Sequence, residues 1–145
     1  FADFDNDGDP DVCAEMGGAY PGDRFGDTLY ENPGFGNRWL SVRLVGTGSN
    51  RSAIGARIKV KVDTPDGPRS IYKSVGSGGS FGANPLRQTI GLGDAVRIEN
   101  LEVHWPSTGR TQLFPSVPMD TFIEVVEGKD RFTRLDLTSY RLGGS

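Results

Sequence analysis

The residues with the clearest capacity for chemistry are five aspartates near the beginning of the sequence. They stand at alternate positions: Asp3, Asp5, Asp7, Asp9 and Asp11. Carboxylates this close together repel one another unless a positive charge lies among them, and a hard cation that prefers oxygen ligands meets that need. Calcium suits a flexible cage of oxygens best, so the sequence predicts a bound calcium ion.

Each aspartate of this loop has an expected role as a ligand. The side chains of the first three match the first three ligand positions of an EF-hand-type loop, and Gly8 matches its sharp turn. Asp9 is expected to offer its backbone carbonyl, and Asp11 its carboxylate, directly or through water. Ala14 stands where an EF-hand has its bidentate glutamate, and Pro10 opposes a helix, so a β context is expected. The alternative is a solvated acidic turn without an ion.

Outside this loop, no group of residues forms a convincing catalytic set. Cys13 is the only cysteine and is expected to be a small buried hydrophobic residue. His104 is the only histidine and is expected on the surface beside Glu102, facing away from Val103. A catalytic thiol would require a histidine nearby, whereas these two residues are distant in sequence. We therefore expect a protein that is not an enzyme.

Two further patterns invite functional interpretations. The glycine-rich stretch 76–82 matches neither a P-loop nor a dinucleotide fingerprint, so we expect a structural loop whose Phe81 fills the core. Four aromatic residues offer faces that could stack on sugars: Tyr20, Trp39, Tyr72 and Trp105. Packing is the preferred role for the tryptophans, and a carbohydrate- or matrix-binding module is the alternative, which requires Trp105 or Tyr72 to be exposed.

Composition and charge limit the possible classes of protein. A chain of 145 residues is long enough for one domain with a core, and its 21 glycines favour short strands and turns. The formal net charge is -3, and no run of lysine and arginine indicates nucleic-acid binding. No apolar stretch approaches the roughly 20 residues of a membrane helix. We expect no nucleic-acid partner and no membrane span.

The pattern of hydrophobic residues predicts an all-β protein. In the segment 58–62, isoleucine and valine alternate with lysine, which is typical of a sheet with one face in water. Strands are predicted at 28–32, 39–45, 58–62, 71–75, 88–92, 101–105, 111–114 and 122–126, and a further strand is considered at 132–137. Asp66-Gly67 predicts a hairpin turn. About seven or eight short, mostly antiparallel strands indicate a β-sandwich or a barrel-like fold.

The acidic loop has a recognisable relative. Its pattern D-x-D-x-D-G-x-x-D resembles the FG-GAP/VCBS repeats of integrin-type β-propellers, in which such a loop joins two strands of a blade. Phe1-Ala2 and Val12-Cys13-Ala14 are compatible with the flanking strands. A propeller needs several blades and the pattern occurs once, so the resemblance implies the C-terminal part of a longer protein, with upstream blades as partners.

A second resemblance rests on four segments: 50–57, 76–82, 91–95 and 101–106. In their order and spacing these segments resemble the ASPIC/UnbV domain, which follows such propellers in bacterial secreted proteins and in animal cartilage acidic protein. Three regions are expected: a blade remnant with linker at 1–37, an ASPIC/UnbV β-sandwich at 38–128, and a tail at 129–145.

The two resemblances imply a secreted protein, extracellular or periplasmic, that binds calcium and serves adhesion or protein interaction. Its expected partners beyond the propeller are an extracellular protein or a glycan. Another alternative is an accessory domain of an enzyme whose active site lies upstream.

Overall fold

The chain folds almost entirely into β-strands. The computed structural model describes residues 1–18, 20–78 and 83–142, and in these ranges it contains strands and turns but no helix. The strands are β1 (Val12–Ala14), β2 (Thr28–Tyr30), β3 (Arg38–Val45), β4 (Arg57–Thr64), β5 (Gly67–Ser74), β6 (Gln88–Gly93), β7 (Arg97–Trp105), β8 (Arg110–Pro115), β9 (Phe122–Val126) and β10 (Phe132–Leu135). The predicted all-β class is confirmed.

Eight of these strands form two four-stranded sheets. Sheet I has the order β10-β9-β3-β6, and sheet II has the order β5-β4-β7-β8. Neighbouring strands are antiparallel except for β3 and β9, which run parallel. The strands described here do not close into a barrel, so the arrangement is a β-sandwich. The strands β1 and β2 form a separate antiparallel pair.

A single hydrophobic core lies between the two sheets. Alternate residues of each strand point into it, because successive side chains of a strand face opposite sides of the sheet. Sheet I contributes Leu40, Val42, Leu44, Ile90, Leu92, Ile123 and Val125. Sheet II contributes Ile58, Val60, Val62, Ile98, Leu101, Val103, Trp105 and Phe114. This is the inward face that the alternation in 58–62 predicts.

Strand β7 contains a bulge that the sequence pattern does not reveal. Opposite β4, Lys61 pairs with Asn100 while Val62 pairs with Ile98, so Glu99 is an extra residue. The bulge turns both Ile98 and Leu101 towards the core although they are three positions apart. The bulge breaks the alternation of the strand, so the predicted segment 101–105 misses the first residues of β7, which begins at Arg97.

The predicted hairpin joins β4 and β5, but its turn residues are Pro65 and Asp66, one position earlier than the predicted Asp66-Gly67. Thr64 pairs with Gly67, which leaves two residues in the turn, and Gly67 has a φ of 114°. This positive φ favours glycine. The strand considered at 132–137 is present as β10, which pairs with β9.

One buried carboxylate joins the end of β9 to the segment that follows β3. Glu127 accepts hydrogen bonds from the backbone N–H groups of Thr47, Gly48 and Ser49, at 2.9, 2.8 and 2.7 Å. The hydroxyls of Ser49 and Thr108 donate to it as well, at 3.0 and 2.7 Å. Burial tends to raise the pKa of Glu127, but these donors outweigh it and lower the pKa to about 2.

Phe81, expected to fill the core, lies outside the described residues.

In the ranges that are described, we find no helix of the length and apolarity needed to cross a bilayer.

Candidate metal centre

The acidic loop is a closed turn at the beginning of the chain. Ala2 and Asp11 form an antiparallel bridge, with backbone hydrogen bonds of 3.2 and 2.7 Å that join the two ends of the loop. Inside it, Asn6 has a φ of 60° and Gly8 a φ of 100°. These left-handed conformations, which glycine and asparagine tolerate best, reverse the chain within a few residues.

Three of the five aspartates converge inside this turn. Asp3, Asp5 and Asp11 each present a carboxylate oxygen, and these oxygens lie within 4.8 Å of one another. The three groups are withdrawn from solvent: the Asp3 side chain is 1% exposed, and Asp5 and Asp11 are 3% and 1% exposed as residues. A cluster of buried like charges is unfavourable without a compensating charge.

The hydrogen bonds to these carboxylates come from neutral backbone donors. Asp11 accepts from the N–H groups of Phe4 and Asn32, at 2.9 and 2.8 Å. Asp3 and Asp5 each accept, through Oδ1, a hydrogen bond from the Asp7 N–H, at 3.1 and 3.3 Å. The Oδ2 atom of Asp3 is buried and has no hydrogen-bond partner among the described residues. One strong acceptor of the cluster is therefore buried without a hydrogen bond.

Charge compensation within the described protein is incomplete. Arg87 places Nη2 3.9 Å from Asp3 Oδ2, which is too far for a hydrogen bond. Burial raises the pKa of Asp3, although Arg87 acts in the opposite direction. Burial, followed by repulsion from Asp7, also raises the pKa of Asp5. In the protein alone, these carboxylates hold their negative charge less readily than they do in water, and a cation would reverse this.

The remaining two aspartates lie outside this convergent group. Asp7 is exposed, and its Oδ1 accepts a hydrogen bond of 2.9 Å from the Asp9 N–H. Asp9 is half-buried, and its carboxylate lies against Gly34. Burial, followed by repulsion from Asp7, raises the pKa of Asp9. Their assignment as ligands stays a prediction.

The loop is docked on the outer face of sheet I. Gly8 lies against the indole of Trp39, where a β-carbon would overlap the ring. Trp39 packs on Phe122 with ring centroids 4.9 Å apart, and the Arg87 guanidinium lies over the Phe122 ring at 4.8 Å. Phe122 is buried but does not belong to the core between the sheets. Trp39, Phe122 and Arg87 therefore form a platform that supports the loop.

Residues close to the C-terminus also reach the loop. Tyr140 donates from its N–H to the Asp5 carbonyl at 3.0 Å and from its hydroxyl to the Phe4 carbonyl. Asn6 donates from Nδ2 to the Thr138 carbonyl at 3.2 Å. The sequence analysis missed Arg87, Thr138 and Tyr140. No local pattern could have identified them, because they lie far along the chain from the aspartates that they approach.

The structure corrects the expectation for Cys13. We expected a small buried residue, whereas Cys13 is exposed. It lies in β1 opposite Leu29 of β2, which is also exposed. A two-stranded sheet has two faces, and no other described element covers the face that carries these two side chains. The hydrophobic character of Cys13 therefore did not lead to burial.

His104 faces away from the core, as alternation predicts. It lies in β7 between the buried residues Val103 and Trp105, and it is only partly buried itself. Its Nδ1 lies 3.1 Å from the hydroxyl of Thr111. No other cysteine, histidine or acidic residue in the described ranges joins it in a metal-binding group.

The two tryptophans are used for packing. Trp105 is fully buried, and its indole N–H donates to Gln112 at 2.5 Å. Trp39 supports the acidic loop, as described above. Tyr20 and Tyr72 are exposed, so the sugar-stacking interpretation retains Tyr72 but loses Trp105.

Comparison with known proteins gives one family. The family model described as ASPIC and UnbV matches residues 46–132, which is more than half of the chain. The matched region begins just after β3 and ends at the first residue of β10, so it contains all of sheet II but only β6 and β9 of sheet I in full. No curated protein shows a significant sequence match to the chain. The four segments quoted in the sequence analysis fall inside this region, and the chain belongs to the ASPIC and UnbV family.

Proposed function

We propose that this protein is a non-enzymatic calcium-binding module in which the ion has a structural role. The observation that carries the proposal is the buried convergence of Asp3, Asp5 and Asp11, with an unsatisfied oxygen on Asp3. Arg87 compensates Asp3 only in part, and burying a carboxylate whose charge is not fully compensated is costly. A divalent cation among the three groups would remove this cost, and calcium accepts the irregular geometry of such a loop.

The proposed ligand set extends the three convergent carboxylates. Calcium takes about six to eight oxygen ligands, which is more than three side chains supply. Asp7, through its carboxylate, and Asp9, through its backbone carbonyl, are the proposed additions from within the loop. Water completes the shell. The ion would stabilise the loop by mass action, because it binds the folded loop and not the unfolded chain.

We further propose that the loop is an FG-GAP/VCBS repeat and that upstream propeller blades pack against it. Two features support this. The loop is followed directly by β1, whose partner β2 completes a small hairpin. Residues 1–37 also carry several large hydrophobic side chains in solvent, among them Phe1, Phe25 and Phe35, which are 86%, 76% and 83% exposed. Such a surface is typical of an interaction site.

In this proposal the module serves adhesion or protein interaction outside the cytoplasm, in the extracellular space or the periplasm. Calcium is abundant in extracellular fluid, where protein sites with dissociation constants of about 10⁻⁴–10⁻³ M are already effective. The ligand would be an extracellular protein or a glycan. Its site would lie on the propeller or on the sandwich surface rather than in the ion loop.

Calorimetric titration with calcium tests the proposal. We expect saturable binding to the wild-type protein and a higher melting temperature with calcium than with chelator. In Asp5→Asn, which keeps the shape of the side chain but removes its charge, binding should weaken by at least about tenfold, since charge-assisted ligands are lost.

The matched control is Asp66→Asn, because Asp66 is an exposed aspartate in the turn between β4 and β5. This variant should bind calcium as the wild type does. A wild-type protein that binds no calcium, or an Asp5→Asn variant with unchanged affinity, would contradict the proposed site.

A further inference from the structure

The segment that follows β10 returns to the acidic loop and lies against it. Three hydrogen bonds join the two: from Asn6 Nδ2 to the Thr138 carbonyl, from the Tyr140 N–H to the Asp5 carbonyl, and from the Tyr140 hydroxyl to the Phe4 carbonyl. The partners in the loop are consecutive residues. The segment therefore forms hydrogen bonds with one short stretch of the loop rather than with separate parts of it.

That stretch contains Asp5 and directly follows Asp3, two of the three aspartates that converge. Phe4, Asp5 and Asn6 connect Asp3 to Asp7, and the left-handed φ of Asn6 sets the direction of the chain between them. When the carbonyls of Phe4 and Asp5 are held from outside, their peptide planes are fixed. These two planes flank the α-carbon of Asp5, so the direction of its side chain is then fixed as well, and Asp3 stands directly before the fixed stretch.

The segment is itself held by the sandwich. It begins after β10, which pairs with β9 over residues 132–135. The hydrogen bonds from this segment therefore connect the loop to sheet I, in addition to the contact of Gly8 with the platform. The loop contacts Trp39 through Gly8, and it contacts Tyr140 through the Phe4 carbonyl.

We propose that residues 138–140 form a latch that positions the ion-binding loop, so that latch closure and calcium binding strengthen each other. This inference rests on the proposed calcium site and assigns to Tyr140 a positioning role, without direct contact to the ion. A closed latch holds Asp3 and Asp5 in the converged arrangement and so lowers the ordering cost of binding. By thermodynamic linkage, a bound ion must favour the closed latch by the same factor.

Calcium affinity measured by calorimetry in two variants tests the first half of this coupling. Tyr140→Phe removes the hydroxyl bond and keeps the ring, so its calcium affinity should fall by about threefold to tenfold. Tyr140→Ala removes the ring too and should weaken binding further. The matched controls are Tyr72→Phe and Tyr72→Ala, because Tyr72 is an exposed tyrosine on β5, and both should keep the wild-type affinity.

Hydrogen exchange of the Tyr140 amide, followed by NMR, tests the second half. This amide donates to the Asp5 carbonyl, so adding calcium to the wild-type protein should slow its exchange several-fold, and chelator should reverse the effect. A segment that merely adds stability would show a lower melting temperature in chelator when substituted, with no change in calcium affinity and no calcium effect on exchange.

The outcomes separate this inference from the proposed function. If the wild type binds calcium, but the Tyr140 variants bind equally well and the Tyr140 amide exchanges at the same rate with and without the ion, the latch is overturned and the site stands. If the wild type binds no calcium, both proposals fail. The latch would be established if calcium affinity falls from wild type to Tyr140→Phe to Tyr140→Ala and if calcium slows exchange of the Tyr140 amide.

Discussion

Two kinds of buried carboxylate occur in this protein, and the donors around each one explain the difference between them. Glu127 is surrounded by three backbone N–H groups and two hydroxyls, so its charge is satisfied by the protein itself. Asp3, with one buried oxygen unpartnered among the described residues, lacks such a set. The first arrangement satisfies a buried charge within the protein, whereas the second leaves an acceptor unpaired, and this is the feature on which our calcium proposal rests.

The Glu127 cluster should make stability depend on pH. The pKa of Glu127 in the folded protein, about 2, lies below the ordinary glutamate pKa of 4.5, so the stabilisation is fully present above about pH 4.5 and is lost as pH falls towards 2. At pH 7, Glu127→Gln should lower the free energy of unfolding by about 3 kcal/mol, from about 1.4 kcal/mol per pKa unit. Urea unfolding of both proteins at a series of pH values measures this loss in the free energy of unfolding.

The difference between wild type and variant is the informative quantity, because other carboxylates titrate in the same range. It should shrink as pH falls from 4.5 to 2. Glu124→Gln is the matched control, since Glu124 lies in β9 three residues before Glu127 and forms a partly exposed ion pair with Arg43. That pair should contribute less than about 1 kcal/mol. A difference of the same size for both variants would refute the role given to Glu127.

At the scale of elements, the contact between the acidic loop and sheet I is the feature that depends most on single residues. Gly8 combines a φ of 100° with close contact to the Trp39 indole, so any larger residue there meets both backbone strain and a steric overlap. The loop can keep its docked position only with glycine at this place. The position of the loop's carboxylates therefore depends on the contact between Gly8 and Trp39.

Gly8→Ala should therefore weaken calcium binding by at least about tenfold, because the loop must move off Trp39. Gly22→Ala is the matched control: Gly22 has a φ of 94°, but nothing lies within 4 Å of the added β-carbon. It shares the strain without the overlap and should bind calcium normally. Titration calorimetry measures the affinities, and tryptophan emission reports whether Trp39 becomes more exposed.

If both glycine variants bound calcium equally well, docking on Trp39 would have no part in forming the site. The emission change is assigned with Trp39→Phe, since Trp105 is the only other tryptophan and is buried in the core. The sandwich itself should melt at nearly the wild-type temperature in both glycine variants.

At the scale of the whole molecule, hydrophobic surface is unevenly distributed. The two sheets bury their apolar faces against each other, whereas residues 1–37 leave phenylalanines and a two-stranded sheet in solvent. A two-stranded sheet has too little surface to build a core of its own. This region therefore depends on its contact with sheet I and, as we propose, on a bound ion and further blades.

The uncovered surface should promote association of the 145-residue protein with itself. Sedimentation velocity should show concentration-dependent oligomers, and the double variant Phe25→Ser/Phe35→Ser should reduce them, because apolar area is removed from the contact. The control Tyr72→Ser/Val96→Ser removes two exposed hydrophobic side chains from the sandwich and should leave association unchanged. Equal effects of both pairs would mean that the surface of 1–37 is not special.

Much of the fold follows from local patterns in the sequence. Each predicted strand segment contains or overlaps an observed strand, because period-two alternation records which face of a strand meets the core. The hairpin between β4 and β5 follows from turn chemistry in the same way. The early part of β7 escaped prediction, because the bulge at Glu99 breaks the alternation on which the inference depends.

In the candidate site, too, some features follow from neighbouring residues and others from contacts between distant residues. The sequence by itself determined the spacing of the aspartates, the turn at Gly8 and the match to the ASPIC and UnbV family, since these are properties of neighbouring residues. Only the tertiary structure decided which three carboxylates converge, that Cys13 is exposed, and that Trp39, Arg87 and Tyr140 surround the loop. These facts depend on contacts between distant parts of the chain, and long-range packing leaves no periodic pattern in the sequence.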